Sequence, residues 1–400
     1  MRSQIANWMA HATLLQAGFP SKPSLSVGER LVLIFKMLTI FPLRMSFHTA
    51  RMIFIAFVYR MNVRFSITCA FVKTVFSTLS GKEVQQVLPG TRDAYETWIK
   101  EKAAANKAPN HKDRLVRDIQ PLNTGLDSAI LWLGNRHRAK KIVLFLHGGG
   151  YVLPVSPGHI QWCWNSYVMA GNEAGVETAV AILQYTLAPR GTIPMPLQQA
   201  TAAFNEIRAQ GFEPKDIIIG GDSAGGNLTM QLLSHMLHPH ADVPEIKLPE
   251  PVGAAFLVSP WLGANSSSKS FATNKRCDML TSGIIKKLTV ESIPMAQRAT
   301  ADTVQNPWVR PLDCDATFFT GMDSILNKMY VTFGDAEVLA DHGRAIVQIL
   351  KQHSPELPVR MDEIRGAPHD NILLEAMLGK PGESTRKMKA WFKPVILGKK

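Results

Sequence analysis

Short apolar runs follow one another along the chain beyond about residue 115, and helix-like segments separate them. The runs are AILWL, KIVLFLHGGG, ETAVAILQYT, DIIIGGDSAGG, GAAFLVSP, MYVTFGD and LPVRMDEI. Strands that are buried on both faces of a parallel sheet show continuous apolar stretches of this kind, with crossover helices between them. The pattern therefore predicts an α/β fold with an open, mostly parallel sheet and helices on both faces.

The first 80 residues have a different pattern, in which single cations interrupt apolar patches. Stretches such as LVLIFKMLTIFPLRM and ARMIFIAFVYRMNVRF are typical. The longest uninterrupted apolar run, Met52 to Tyr59, is far shorter than the roughly 18 residues that a transmembrane helix needs, so we predict no membrane span. Two interpretations stay open for residues 31–79: contact with a membrane surface, or helices that cover a catalytic domain as a lid.

Composition places the chain among folded globular proteins, because 46% of its 400 residues are hydrophobic and 19% are charged. The net charge of +12 is concentrated near the N-terminus, where residues 1–80 hold nine Lys or Arg and one acid, Glu29. This segment has no basic run with interleaved aromatics, which argues against nucleic acid as a partner. The four widely spaced cysteines indicate free thiols and favour a reducing compartment such as the cytosol. The expected location is intracellular, in the cytoplasm or at the endoplasmic reticulum membrane.

A glycine-rich turn carries the first candidate for chemistry. In IIIGGDSAGGNL, residues 221–225 fit the pattern Gly-x-Ser-x-Gly between a strand and a helical segment. Such an elbow presents a serine on a strained turn, and the glycines on either side prevent crowding. The alternative is a serine in an ordinary Gly-rich turn. The strand before the motif and the helix after it favour Ser223 as a nucleophile, with Asp222 as part of the motif.

A second glycine-rich turn, VLFLHGGGYVLP, ends an earlier strand. Consecutive glycines let backbone N–H groups converge on one point, as a tetrahedral oxyanion requires. We predict Gly149 and Gly150 as donors, and Ala224, at the start of the helix after the nucleophile, as a third donor. A phosphate-binding loop would need Lys-Ser or Lys-Thr after the glycines, and Tyr151-Val152 stand there instead.

Three carboxylates, Asp335, Glu337 and Asp341, lie close together in TFGDAEVLADHG after the strand-like run KMYVTF. Any of the three could take part in chemistry at the end of this strand. Asp335 also fits the N-cap of a helix from about Ala336 to Leu350, and Asp341 falls one helical turn beyond Glu337. Spacing alone does not choose among the three.

Four ordered motifs together resemble one enzyme family. HGGG at 147–150, LQYTLAPRGTIPMPLQQA, GDSAGGNL at 221–228 and SPWL at 259–262 are similar to the hormone-sensitive-lipase-like branch of the α/β-hydrolases. Within that branch the chain looks most similar to fungal esterases of the steryl-acetyl-hydrolase type, including esterases of secondary-metabolite pathways. The resemblance covers roughly residues 115 to 380. Arg190 departs from it, because the family usually has an acid after Ala-Pro.

The resemblance implies an α/β-hydrolase fold and a triad in the chain order serine, acid, histidine. Ser223 is then the nucleophile. His369, on the loop after LPVRMDEI, is the expected general base, and His342 and His353 are the rivals worth testing.

The family register also bears on the acid and on the oxyanion loop. In the family, the acid of the triad is followed by x-Leu-x-Asp. EVLAD at 337–341 matches this pattern, so the resemblance selects Glu337 as the acid and Asp341 as the aspartate that ends the pattern. Asp335 stays as the alternative acid. His147 and Gly148 are expected to organise the loop without taking part in proton transfer.

These features divide the chain into two parts. Residues 1–114 form a basic, apolar helical cap or a membrane-associated segment, and residues 115–400 form the catalytic domain. An insertion at about residues 263–312 is long enough to be functional or separately folded, and we expect it to complete the cap.

The function implied by the resemblance is that of a serine ester hydrolase working through an acyl-enzyme. No residue cluster has the spacing of metal ligands, and no cofactor is expected. With its apolar cap, the enzyme is expected to remove a short acyl group, acetyl, from a small hydrophobic ester of a bulky alcohol such as a sterol or terpenoid. An acyltransferase, an amidase and a non-catalytic ligand-binding protein remain alternatives. The oligomeric state stays open.

Overall fold

The computed structural model describes residues 22–106, 109–124, 126–263, 268–294 and 306–398. An eight-stranded sheet with the order β1-β2-β4-β3-β5-β6-β7-β8 forms its centre. Strand β2 runs antiparallel to both of its neighbours, and β3 to β8 are parallel to one another. The strands are β1 (Ile119–Pro121), β2 (Ala129–Leu133), β3 (Lys141–Leu146), β4 (Thr178–Gln184), β5 (Ile217–Asp222), β6 (Ala254–Val258), β7 (Met329–Gly334) and β8 (Val359–Ile364).

Helices cover both faces of this sheet, as the apolar runs predicted. Strands β2 to β7 are buried along their lengths except at Lys141, and the partly exposed strands β1 and β8 lie at the two edges. The α-helices are α1 (Val27–Val58), α2 (Val63–Thr78), α3 (Gly81–Val87), α4 (Thr91–Ala105), α5 (Pro157–Cys163), α6 (Met169–Glu173), α7 (Met195–Ala209), α8 (Ser223–Leu237), α9 (Lys269–Asn274), α10 (Ser282–Ser292), α11 (Ala340–His353), α12 (Asn371–Met377) and α13 (Glu383–Ile396).

Alternate residues of each strand point into two separate cores. In β3, Leu144 belongs to the core that α2, α7, α8, α10 and α11 cover. Its neighbour Phe145 belongs to the core that α4, α5, α12 and α13 cover. Because side chains alternate between the faces of a strand, the central strands must be apolar throughout. The four cysteines are free thiols.

Helix α1 corrects one prediction. It runs without interruption over 32 residues and is long and apolar enough to cross a membrane by length and composition, whereas the sequence predicted no such segment. Two of the cations that interrupt the apolar pattern bond to groups of the protein body, although Arg44 itself stays exposed. Lys36 Nζ lies 2.7 Å from Glu83 Oε1, and Arg44 donates to the carbonyl oxygen of Ser77 at 2.6 Å. A π-helical turn, Lys36–Ile40, lies within α1.

The N-terminal helices and the insertion pack against each other in one layer. Lys287 of α10 donates from Nζ to the carbonyl oxygens of Phe76 (2.8 Å) and Leu79. The backbone N–H of Gly81 donates to Glu291 Oε2 at 2.9 Å. Of the insertion predicted at 263–312, residues 264–267 and 295–305 lie outside the described residues, as do residues 1–21 of the N-terminal segment.

Candidate active site

Ser223 stands at a sharp turn between β5 and α8. Its φ is +50°, in the left-handed region that a residue with a side chain rarely adopts. A Cβ at Gly221 or Gly225 would come within 1.8 or 1.9 Å of the carbonyl oxygen of Leu146, so both positions require glycine. The turn therefore has the geometry of a nucleophile elbow, and Ser223 itself is only 7% exposed.

The loop after β3 brings free backbone donors to the elbow. Gly149 and Gly150 have φ values of +101° and +63°, and their N–H groups donate to no other described residue. The N–H of Ala224 lies in the first turn of α8, where a helix provides no internal acceptor. The three predicted oxyanion donors therefore lie on the two turns that meet beside Ser223. A Cβ at Gly150 would lie 2.7 Å from Leu288 of α10, so the cap covers this loop directly.

Asp222 fastens the oxyanion loop to the elbow. Its Oδ1 accepts a hydrogen bond from the N–H of Gly148 at 3.1 Å, and its Oδ2 lies 3.2 Å from His159 Nε2. Burial opposes ionisation of Asp222, but the charge of His159 and the hydrogen bonds hold its pKa below the ordinary value. A Cβ at Gly148 would lie 2.2 Å from Asp222 Oδ2, so that contact needs glycine.

His147 is a structural part of this loop. Its ring stacks on Tyr185 with 4.3 Å between centroids, and Nδ1 lies 2.8 Å from the carbonyl oxygen of Gly148. Burial, with a smaller effect from the charge of His159, lowers the pKa of His147 to about 3. A neutral, stacked imidazole fits the organising role that the resemblance implies.

Glu337 is the carboxylate nearest to the imidazole of His369 among the three predicted candidates. It is completely buried after β7, and its Oε2 lies 3.8 Å from His369 Nδ1. The same oxygen accepts hydrogen bonds from the Ser259 hydroxyl at 2.6 Å and from the Gly334 N–H at 3.3 Å. The distance to His369 is longer than a hydrogen bond, as is common for catalytic groups before substrate binds.

Asp335 does not cap a helix, which corrects the prediction from its spacing. Helix α11 begins at Ala340 and not at Ala336, and it ends at His353 instead of Leu350. Asp335 Oδ1 accepts a hydrogen bond from the N–H of Gly366 at 2.6 Å and so ties the loop after β7 to the loop after β8.

Asp341 braces the insertion. Its Oδ2 accepts a hydrogen bond from the N–H of Ser270 at 2.8 Å, and its Oδ1 lies 2.6 Å from Arg344 Nη1. Burial raises the pKa of Asp341, but these hydrogen bonds outweigh burial and leave it below the ordinary value. Asp341 is thus a charged support at the start of α11, away from the imidazole.

His369 is buried, and its second ring nitrogen faces a carboxylate that the sequence did not single out. Nε2 lies 3.1 Å from Asp370 Oδ2. Burial lowers the pKa of His369, but Asp370 and then Glu337 outweigh it and hold this pKa well above the ordinary value. Burial also raises the pKa of the Asp370 carboxyl to about 7, against the charge of His369.

The rival histidines have other partners. His342 is buried, and its Nδ1 accepts a hydrogen bond from the N–H of Leu262 at 3.2 Å. Burial lowers the pKa of His342 to about 4. His353 is the last residue of α11.

Asp278, in the insertion, connects the two triad loops and was missed in the sequence. Its Oδ2 accepts a hydrogen bond from the N–H of Val338 at 2.7 Å, and its Oδ1 accepts one from the N–H of His369 at 3.3 Å. Lys73, buried in α2, donates from Nζ to the carbonyl oxygen of Asp278 at 2.7 Å. Burial raises the pKa of Asp278, and the charges of His369 and Lys73 act in the opposite direction. A single aspartate in NKRCDML offers no local signal for this role.

The Lys73→Met variant is expected to lower kcat about tenfold to a hundredfold with little change in KM. Without this cation Asp278 takes up a proton more readily, and its hydrogen bonds to the loops of Glu337 and His369 weaken. A misplacement of a catalytic group by about 1 Å can lower the rate a hundredfold. Steady-state kinetics from pH 6 to 9 measure the effect. Lys82→Met is the matched control, since its ion pair with Glu29 is on the surface and contributes little. Equal kcat values for wild type and Lys73→Met would contradict this role.

A sheet of this strand order, with a nucleophile elbow after β5, an acid after β7 and a histidine after β8, defines a class of proteins, the α/β-hydrolases. A family model described as alpha/beta hydrolase fold matches residues 143–373, more than half of the chain. The protein belongs to the alpha/beta hydrolase family.

Several relatives are esterases or acetyl-hydrolases by name. The chain is 29% identical to an acetyl-hydrolase of Streptomyces hygroscopicus over 228 residues, which cover 56% of this chain and 67% of the relative. It is 23% identical over 244 residues to a Schizosaccharomyces pombe protein named provisionally as a steryl acetyl hydrolase. These residues cover 59% of this chain and 61% of the relative. A match to a carboxylesterase/phospholipase of Mycobacterium tuberculosis is 33% identical but covers only 24% of this chain and 25% of the relative.

Solved structures agree on the fold. An esterase of the bacterial hormone-sensitive lipase family superposes with a TM-score of 0.55 at 23% identity, covering 76% of this chain and 98% of the other. Carboxyl esterase 2 of the fungus Tuber melanosporum superposes with a TM-score of 0.57 at 17% identity, covering 70% of this chain and 86% of the other. The resemblance to the hormone-sensitive-lipase-like branch is confirmed, and the chain is a hydrolase of the esterase class.

Proposed function

We propose that this esterase removes a short acyl group, acetyl, from a bulky hydrophobic alcohol of the sterol or terpenoid type. The observation that carries the proposal is the buried Ser223 at its elbow, beside the loop that carries the free N–H groups of Gly149 and Gly150 and that Leu288 of the apolar cap covers. His369 is buried as well. The low exposure of Ser223 favours a small acyl group. The names of the Streptomyces and Schizosaccharomyces relatives add support.

The mechanism begins with proton transfer from Ser223 Oγ to Nε2 of His369 while Oγ attacks the ester carbonyl. Nε2 must therefore exchange its contact with Asp370 for one with Ser223. Glu337 faces Nδ1, where it holds the tautomer and stabilises the imidazolium.

The negative charge that develops on the carbonyl oxygen is held by the N–H groups of Gly149, Gly150 and Ala224. The imidazolium of His369 then protonates the leaving alcohol, and an acyl-enzyme forms on Ser223. Water, activated by the same imidazole, attacks the acyl-enzyme and releases the acid. All of these steps use side chains and backbone groups of the protein.

We further propose an intracellular location, in the cytoplasm or at the endoplasmic reticulum membrane. Support comes from the four cysteines, which are all free thiols. Free thiols of this kind persist in reducing compartments.

A panel of esters tests the substrate proposal. We expect kcat/KM to fall at least about tenfold from nitrophenyl acetate to nitrophenyl octanoate, because the low exposure of Ser223 disfavours a longer acyl chain. Acetylated sterols and terpenoids should release acetate, measured by chromatography of the products. A preference for octanoate would contradict the short-acyl proposal. Faster acyl transfer to an added alcohol than to water would favour the acyltransferase. Turnover of an anilide of the same acid, without turnover of the ester, would favour the amidase.

A further inference from the structure

The outer face of α1 is an apolar surface that no described part of the protein covers. From residue 31 to 58, fourteen positions of the helix are exposed, and twelve of them are apolar. The two polar positions are Arg44 and Ser46. Phe54 and Phe57 are 69% and 72% exposed, far more than a soluble surface normally allows for several neighbouring aromatics.

The π turn keeps this outer face on one side of the helix. Leu31, Ile34 and Leu38 follow each other at spacings of three and four residues, and all are exposed, with Leu38 inside the turn. The next exposed leucine, Leu43, comes five residues later, and Phe47 and Phe54 continue at helical spacing. A π turn holds one residue more than an α turn, so a five-residue step across Lys36–Ile40 returns to the same face. The apolar surface is therefore continuous along a helix of about 48 Å.

The inner face of α1 is docked along its length. Leu33, Met37 and Phe41 pack against the cluster of Val75, Leu79 and Val84. Further along, Met52 and Ile55 are buried in the main core. A helix that crossed a bilayer would have to leave these contacts and the Lys36–Glu83 ion pair. The observed packing instead suits a helix that lies in the plane of a membrane surface.

Charge identifies the partner of this surface. The sequence contains no Asp or Glu from residue 30 to 82, while eight Lys or Arg lie in the same segment. Arg44, Arg60 and Arg64 are exposed beside the apolar face. Cations next to an apolar helical face favour anionic headgroups, and the first apolar residues then enter the acyl boundary.

We propose that α1 docks the protein on an anionic lipid bilayer as an interfacial helix, with its outer face in the headgroup and acyl boundary. This docking does not depend on which ester is hydrolysed. Helices α2 and α3 link α1 to α10, and α10 covers Gly150, so the bilayer lies on the cap side of the active site.

Flotation of the full chain with lipid vesicles tests the proposal. We expect binding to vesicles of phosphatidylcholine with phosphatidylserine, weaker binding to phosphatidylcholine alone, and weaker binding at high salt. The outer-face variant Phe47→Ser, Phe54→Ser, Phe57→Ser should bind at least about tenfold more weakly. The matched control, Val116→Ser, Met361→Ser, Met377→Ser, removes three apolar side chains that are exposed elsewhere and should bind like wild type.

Both variants should hydrolyse nitrophenyl acetate at the wild-type rate, which shows that they fold and separates this test from that of the ester chemistry. Failure of the full chain to float with either vesicle would overturn the proposal. So would a dimer that the outer-face variant converts to a monomer, since a second copy would then cover the face. Resistance of bound protein to alkaline carbonate extraction would overturn the interfacial placement in favour of a spanning helix.

Discussion

Replacement of Ser223 by alanine is expected to lower kcat for nitrophenyl acetate by roughly four to six orders of magnitude, the range seen when a triad nucleophile is removed. The acyl-enzyme cannot form without Oγ, and only the oxyanion donors and substrate binding remain. KM should change little. The burst of nitrophenol that accompanies acyl-enzyme formation should also disappear.

Ser234→Ala is the matched control for this variant. Ser234 lies on the same helix α8, is also buried, and its Oγ makes no hydrogen bond among the described residues. It should keep wild-type activity and a wild-type melting temperature. Equal rates for Ser223→Ala and Ser234→Ala would remove the serine-hydrolase mechanism and leave ligand binding as the function of the fold.

Replacement of Glu337 by glutamine is expected to lower kcat by about 10³ to 10⁴, because a neutral amide neither fixes the tautomer of His369 nor stabilises its imidazolium. Asp335→Asn is the comparison, and it should stay within a few-fold of wild type, since Asp335 bonds to the N–H of Gly366. Steady-state kinetics of both variants with nitrophenyl acetate at pH 8 decide which carboxylate orients His369. Loss of activity in Asp335→Asn with full activity in Glu337→Gln would exchange the two roles.

Asp370 adds a complication to that comparison. It holds the other nitrogen of His369, so the imidazole of the Glu337→Gln variant still has one carboxylate beside it. Residual activity of Glu337→Gln above the level of Ser223→Ala is therefore expected. A double variant with Asp370→Asn would show how much of that activity depends on the second carboxylate.

The sequence was sufficient to predict the sheet and the elbow because both are strong local patterns. A central parallel strand must be apolar on both faces, and Gly221 and Gly225 are required by direct contact with the carbonyl oxygen of Leu146. The prediction for the start of α11 was wrong, and the reason lies in Asp335. Asp335 has the chemistry of an N-cap, but the N–H of Gly366, thirty-one residues away, bonds to its carboxylate.

Other features could not be predicted because they depend on contacts between distant segments. Lys73 and Asp278 are 205 residues apart, and neither lies in a motif. The cations of α1 were counted as interruptions of an apolar run, since the sequence does not show that Lys36 and Arg44 bond to groups of the protein body. The contact of Leu288 with the oxyanion loop likewise follows only from the packed cap.

The π turn in α1 makes the length of this helix as important as its composition. Loss of one residue within Lys36–Ile40 would convert the turn to α-helix, and because the five-residue step would become a four-residue step, Phe54 and Phe57 would stay in line with Leu31. Loss of one residue elsewhere in α1 would rotate everything beyond it by about 100°, and Met52 or the residues before it would leave the core. Related chains should therefore exchange one apolar side chain for another freely along α1, yet gain or lose a single residue only at the π turn.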